Sequence, residues 1–246
     1  MFRFSILPAL ALTVSLPLPA QFSTRLSPRT EQAFDDYCKT LEAQFDGRPR
    51  FTTGPPPGQI EVLPARTAGS IDIREGLIHD WVAATFVRGV RVEKVLAVLQ
   101  NYGAYKNVYR DAVSESKLIR RDGELFHVSL QMVTKKILTV KLNGEFDVEY
   151  KRLDDNRWMV LSRSTHIAEL DGDQELPPGT GHGFLWRQNT YWLIEPRPEG
   201  VYLECRSLSL SRDIPFGLSR VVKPFLTSVP RESLQKTLEA TVRALR

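Results

Sequence analysis

The sequence predicts an α+β fold: a curved antiparallel sheet of about seven strands wrapped around a long C-terminal helix, with a helical extension at the N-terminus. Three observations predict it. One strand and one amphipathic helix, between Trp81 and Tyr102, precede a long series of alternating segments. Turn residues punctuate that series. The final segment, from about Phe216 to Leu245, carries apolar residues at helical spacing. An antiparallel sheet of this length has to bury one face, and the terminal helix is the large apolar element left to cover it.

Composition fits a globular chain. Of 246 residues, 42% are hydrophobic and 25% charged, which excludes a disordered or collagen-like protein. Mean hydropathy is −0.24. No run of about 18 uninterrupted apolar residues occurs, so neither a polytopic membrane protein nor stable membrane insertion is expected. The net charge of +4 is small and the basic residues are scattered, which argues against nucleic acid as a partner.

Met1 to Ala20 combines Arg3, an apolar stretch from about Phe4 to Leu18, and a small residue at its end. This is the pattern of a secretory signal, and it predicts export to the periplasm or the extracellular space. Pro8 disfavours the alternative of a buried helix. Residues 21–70 form a second unit. Ser27 caps a helix with Pro28 in its first turn, and Phe34, Tyr37, Cys38, Leu41 and Phe45 mark one face. The stretch from Arg48 to Gly69, with GPPPG, reads as a linker. The main domain then covers residues 71–246. Cys38 and Cys205 are either bridged after export or buried as free thiols.

Within that domain WVAATFV (Trp81–Val87) is rich in strand formers, and Val92, Val95, Leu96, Leu99 and Tyr102 share a helix face. An aromatic segment, NYGAYKNVY, follows. Phe126, Val128, Leu130 and Met132 alternate with polar residues, as do Phe146, Val148 and Tyr150, the mark of strands with one wet face. Asn143-Gly144 is either a turn or a bend within a longer strand. Further strands are expected at 157–170, 184–194 and 201–210, the last two joined by EPRPEG. Leu218, Val222, Phe225, Leu226 and Val229 stripe the first half of the terminal helix, and Leu234, Leu238, Val242 and Leu245 the second. Pro224 and Pro230 should kink or divide it.

The segments WVAATFVRGVRVEKVLAVLQNY and GFLWRQNTYWLIEPRPEGVYLECRSLSLSRDIP resemble the first strand–helix unit and last hairpin of the helix-grip superfamily. That group holds START lipid-transfer domains, pollen-allergen-like proteins and polyketide cyclases, and is also known as SRPBCC. GHGFLWRQNTYWLIE and ESLQKTLEAT are similar to exported bacterial proteins whose role is not established. The likeness spans roughly two-thirds of the chain, from about Gly76 to Arg246. It implies a cavity for an apolar or amphipathic ligand, and no catalytic signature.

With EPRPEG as the loop, Ile194 faces Val201, Trp192 faces Leu203, Thr190 faces Cys205, Gln188 faces Ser207 and Trp186 faces Ser209. The cavity row is then Phe184, Trp186, Gln188, Thr190 and Trp192 beside Leu203, Cys205 and Ser207. Phe126, Val128, Leu130, Met132, Phe146, Val148 and Tyr150 join it from the earlier strands, and Val222, Phe225 and Leu226 from the helix. Ordinary core packing is the alternative for each. Arg187, Asn189, Tyr191, Glu204, Arg206 and Leu208 fall on the opposite, solvated face; Leu208 and Leu210 fit that face poorly unless a bulge intervenes or the N-terminal helix covers it.

Chemistry finds little support. His79, His127, His166 and His182 lack an activated nucleophile, no GxSxG elbow exists, and Ser162, Ser164 and His166 lie in parallel along one strand. No spacing of Cys or His suits a metal, and no cofactor is expected. The expectation is non-catalytic binding, possible transport, of a hydrophobic small molecule or lipid. The alternatives are cyclase or lyase chemistry with His166 or Asp80 as acid/base group, or a periplasmic interaction module docking through its N-terminal helix, whose protein partner the sequence does not name.

Overall fold

The computed structural model describes residues 23–45, 55–66, 69–135, 139–155, 157–213, 226 and 228–246. The signal segment 1–20, Val222 and Phe225 lie outside them. Strand β1 (Thr24–Arg25) leads into helix α1 (Pro28–Glu42), where the Ser27 hydroxyl accepts the Thr30 N–H at 3.3 Å and Pro28 occupies the first turn. The stretch read as a linker supplies an edge strand, β2 (Ile60–Pro64), followed by β3 (Ser70–Ile73). Both pair antiparallel with β4 (Gly76–Arg88).

Helix α2 (Val92–Gln100), a 3-10 turn (Tyr102–Ala104) and the short α3 (Tyr105–Val108) then cross the sheet. The meander is β5 (Val113–Asp122), β6 (Leu125–Lys135), β7 (Thr139–Arg152) and β8 (Trp158–Asp171). Short β9 (Gln174–Glu175) and β10 (Thr180–Gly181) interrupt the next loop, before β11 (Arg187–Arg197) and β12 (Gly200–Ser211). The spatial order is β2-β4-β12-β11-β8-β7-β6-β5, so seven long strands form the sheet with β2 added at one edge. Asn143-Gly144 lies within the paired length of β7 and is not a turn. A Cβ on Gly144 would stand 2.8 Å from the Phe146 ring and 2.9 Å from the Met132 methyl, so glycine lets these two side chains close over the strand. Helix α4 (Val229–Ala244) carries Pro230 in its first turn, where a missing N–H is harmless; the proline starts this helix and does not kink it.

Two cores lie on opposite faces of the sheet. On the inner face Leu234, Leu238 and Leu245 of the C-terminal segment and Val95 and Leu99 of α2 pack with Ala83, Val148, Val160, Ile194 and Leu203. On the outer face Phe34, Cys38, Leu41 and Phe45 pack with Ile78, Met159, Leu161, Tyr191, Leu208 and Leu210. The face expected to be solvated is thus covered: Tyr191, Leu208, Leu210 and Glu204 are fully buried. Its charges are paired, with Arg187 on Glu31 and Asp35, Arg163 on Glu42, and Arg206 on Asp80. The α1 stripe packs on its own domain. Cys38 belongs to the outer core and Cys205 to the inner, and both are free thiols.

Candidate functional site

Helix α4 packs mainly against β4, β2 and β12, toward one side of the sheet. Between its first turns and the inner face of β6, β7, β8, β11 and β12 lies a cavity of about 250 Å³. That is just under the roughly 300–1,000 Å³ of most small-molecule sites. Met132, Phe146, Val148 and Val160 form part of its floor, Ser233, Leu234 and Thr237 of α4 its roof, and Phe184 and Leu185 one end.

The other end is built from tyrosines. Tyr102, Tyr105 and Tyr109 arise from the aromatic segment after α2, with successive ring centroids 4.9 and 4.8 Å apart, and Tyr150 joins them from β7. Their hydroxyls are all engaged. The Leu99 carbonyl, among the last of α2 and so without a partner in the helix, accepts from Tyr105 at 2.6 Å and Tyr150 at 2.9 Å. Tyr102 bonds Tyr150 at 2.8 Å, and Tyr109 bonds Thr241 at 3.0 Å. Burial pushes the Tyr109 phenol up to about 12 and raises Tyr102, Tyr105 and Tyr150 as well, so the four are neutral walls and not bases.

The final hairpin holds a tighter turn than expected. Arg197 pairs with Gly200 across Pro198-Glu199, which moves the register by two: Trp192 faces Cys205, Thr190 faces Ser207 and Gln188 faces Ser209. A shift of two keeps every face. Gln188, Thr190, Trp192, Cys205 and Ser207 accordingly line the cavity, as do Val128, Leu130, Met132, Phe146, Val148, Tyr150 and Phe184. Phe126 and Leu203 stand in the same inner core without reaching the cavity wall. Leu226 is buried against Leu77 and Phe184, off the wall. Trp186 is a correction. The strand begins only at Arg187, so alternation does not extend to Trp186, whose ring joins the outer core with Phe34 and Tyr191. The wall also contains Ser162, Ser209, Leu142 and the three tyrosines of the 102–109 segment. The aromatic clustering of NYGAYKNVY was the available signal for the last.

Among the described residues no Asp, Glu, Lys, Arg or His lines the cavity, and no group of three His, Cys, Asp or Glu could hold a metal. The one lining thiol, Cys205, is pushed far up by burial and is inert as a nucleophile. His166 pairs across the sheet with Glu145, whereas Ser164 pairs with Phe146; the bulge between them puts the two on opposite faces, and His166 bonds Glu175 at 3.2 Å. His79 and Asp80 also face opposite ways, His79 to Ser211 at 2.8 Å and Asp80 to Arg206. His127 lies on the outer side against Asp147 at 2.7 Å.

The loop between β8 and β11 is held by Glu169. Its carboxylate accepts the backbone N–H groups of His182, Gly183 and Phe184 and the His182 imidazole at 2.8 Å. That hydrogen bond raises the His182 pKa, and the ring stacks on Phe184 at 5.2 Å. Among the described residues no helix is long and apolar enough to cross a membrane.

A sheet closing over a C-terminal helix, with a strand–helix unit before the meander, is a helix-grip fold. Solved structures with this fold include a STAR-related lipid transfer protein from Xanthomonas axonopodis, 17% identical, covering 72% of this chain and 99% of its own, with a TM-score of 0.51. The chain is also similar to an aromatase/cyclase from Streptomyces (11% identity, 68% and 93% coverage, TM-score 0.49) and to human StAR-related lipid transfer protein 5 (12%, 88% and 96%, 0.44). No family model and no curated protein sequence matches the chain.

Proposed function

We propose that this chain binds a hydrophobic or amphipathic small molecule or lipid, without chemistry, in the cavity between α4 and the sheet, and that it does so after export. One observation carries the reading: the cavity is enclosed by apolar and aromatic side chains, and its described wall has no group that titrates near neutrality. Apolar burial supplies affinity at about 25 cal/mol per Å², offset by the ordering of the ligand. Acid/base catalysis would require a carboxylate, imidazole or amine within reach of the substrate. The Xanthomonas protein with the same fold is a lipid transfer protein, which agrees with the reading. Export rests on the charged, apolar and small-residue succession of Met1 to Ala20.

Native mass spectrometry of protein purified from an exporting host tests both parts. The expected spectrum shows a chain shortened by the signal and carrying a recurrent small adduct that organic extraction removes. Turnover of that extracted compound by fresh protein would replace carriage with catalysis.

A further inference from the structure

Resting on that binding reading, we infer that the occupant is an uncharged amphiphile whose single polar group, a hydroxyl or carbonyl, seats on the sheet beside Gln188 and Ser209. The tyrosines of the cavity and the polar side chains of its sheet differ in how they are satisfied. At the helical end every tyrosine hydroxyl is satisfied within the protein, and Thr237 donates to the Ser233 carbonyl at 2.8 Å. On the sheet the opposite is true. Gln188 faces Ser209, Thr190 faces Ser207 on one side and Ser162 on the other, and none of these five side chains bonds another described residue. They form one contiguous band across β8, β11 and β12, whereas the other lining hydroxyls without a described bond, on Thr134 of β6 and Ser233 of α4, stand apart on separate elements.

These atoms open onto the cavity, and an occupant that covered them without bonding would forfeit about 1–3 kcal/mol for each group left unpaired, so the band favours an occupant that bonds to it. An amide and four hydroxyls each donate and accept, which suits a hydroxyl or a carbonyl and supplies no counter-ion. Charged heads are disfavoured for the same reason. Burying a carboxylate or ammonium without an opposite charge is strongly unfavourable, and none of the described lining residues carries a charge. On this face His79 of β4 stands opposite Ser209, and Glu169 of β8 opposite the lining residue Leu142 on β7. His79 is 3% exposed, bonded to Ser211, and held neutral by burial. The Glu169 carboxylate, at the cavity end near Phe184, is taken up by the backbone N–H groups of His182, Gly183 and Phe184 and by the His182 ring, with the buried Arg212 as a neighbouring cation.

Calorimetric titration at about pH 7.5 with 1-decanol, decanoate and decylammonium varies the head and keeps the tail. Decanol is expected to bind at least about tenfold tighter than either ion. Equal or tighter binding of decanoate or decylammonium overturns the inference while leaving the cavity reading intact; binding of none of the three overturns both. Replacing Gln188→Leu with Ser209→Ala should weaken decanol several-fold and leave the ions unchanged, and Ser209→Ala alone should give a smaller loss in the same direction. An unchanged decanol affinity in both variants would remove the band as the seat.

Discussion

Arg206 grips Asp80 with two hydrogen bonds, Nε to Oδ1 at 2.8 Å and Nη2 to Oδ2 at 2.6 Å, in a site where Asp80 is fully buried beneath α1. Tyr37 of α1 donates to the same carboxylate at 2.7 Å. The pair therefore locks the N-terminal helix to the outer face of the sheet. Arg206→Leu leaves the Asp80 carboxylate buried with only the phenol against it and should destabilise the fold by about 3 kcal/mol. Tyr37→Phe removes one bond to a charged acceptor and should cost about 1.5 kcal/mol. Urea unfolding of the two variants checks the order, with Arg206→Leu the more damaging.

The tryptophans divide the two cores. Trp186 packs with Phe34 on the outer side, and its indole Nε1 has no hydrogen-bond partner among the described residues; Trp192 lines the cavity. Trp186→Ala should lower stability by about 3–5 kcal/mol and leave the affinity of the refolded protein for decanol unchanged. Trp192→Ala should instead weaken decanol several-fold. Calorimetry on both variants, with unfolding curves alongside, separates the two roles.

That division shows what the sequence could reveal. Period-2 alternation fixes faces, so Gln188, Thr190 and Trp192 fell on the cavity side although EPRPEG hid a two-residue turn. EPRPEG reads as a loop because of its prolines, but β8 begins at Trp158, opposite Ile194, so Pro196 lies beyond that pair and leaves no gap in the ladder. Alternation could not say where β11 begins, and Trp186 was lost at that boundary. The cover of Tyr191 and Leu208 by α1 is a contact between segments about 150 residues apart, which no local pattern encodes. The tyrosine end escaped for a similar reason: the role of Tyr102, Tyr105 and Tyr109 depends on Leu99 and Tyr150 meeting them in space.

Acid should act through His79. Burial lowers its pKa from 6.5 to about 4 in the folded state. Between those values the unfolded chain takes up a proton that the folded chain refuses, so stability falls as pH drops through this window, by up to about 3 kcal/mol. His182 runs the other way: its pKa is raised by Glu169, so its contribution is complete below 6.5 and fades as pH rises through the folded value. Its imidazole is 43% exposed, which makes that opposing effect small. His79→Gln keeps a partner for Ser211 and removes the titration. Urea midpoints at about pH 7 and pH 4.5 should draw closer together in this variant than in the wild type.

Gly144 governs cavity volume from inside β7. An added methyl meets the Phe146 ring at 2.8 Å and the Met132 methyl at 2.9 Å, and both side chains form part of the cavity wall. Met132 is flexible and can turn away, but the phenylalanine ring must move as a rigid body. Gly144→Ala should therefore cost about 1–2 kcal/mol through overpacking and shift Phe146 toward the cavity. The consequence for binding is graded by ligand size. Calorimetry with alcohols of increasing chain length should show the variant losing affinity for the longer members first, while the shortest bind as they do to the wild type. A uniform loss along the series would mean that the methyl is absorbed by the strand and that Phe146 stays where it is.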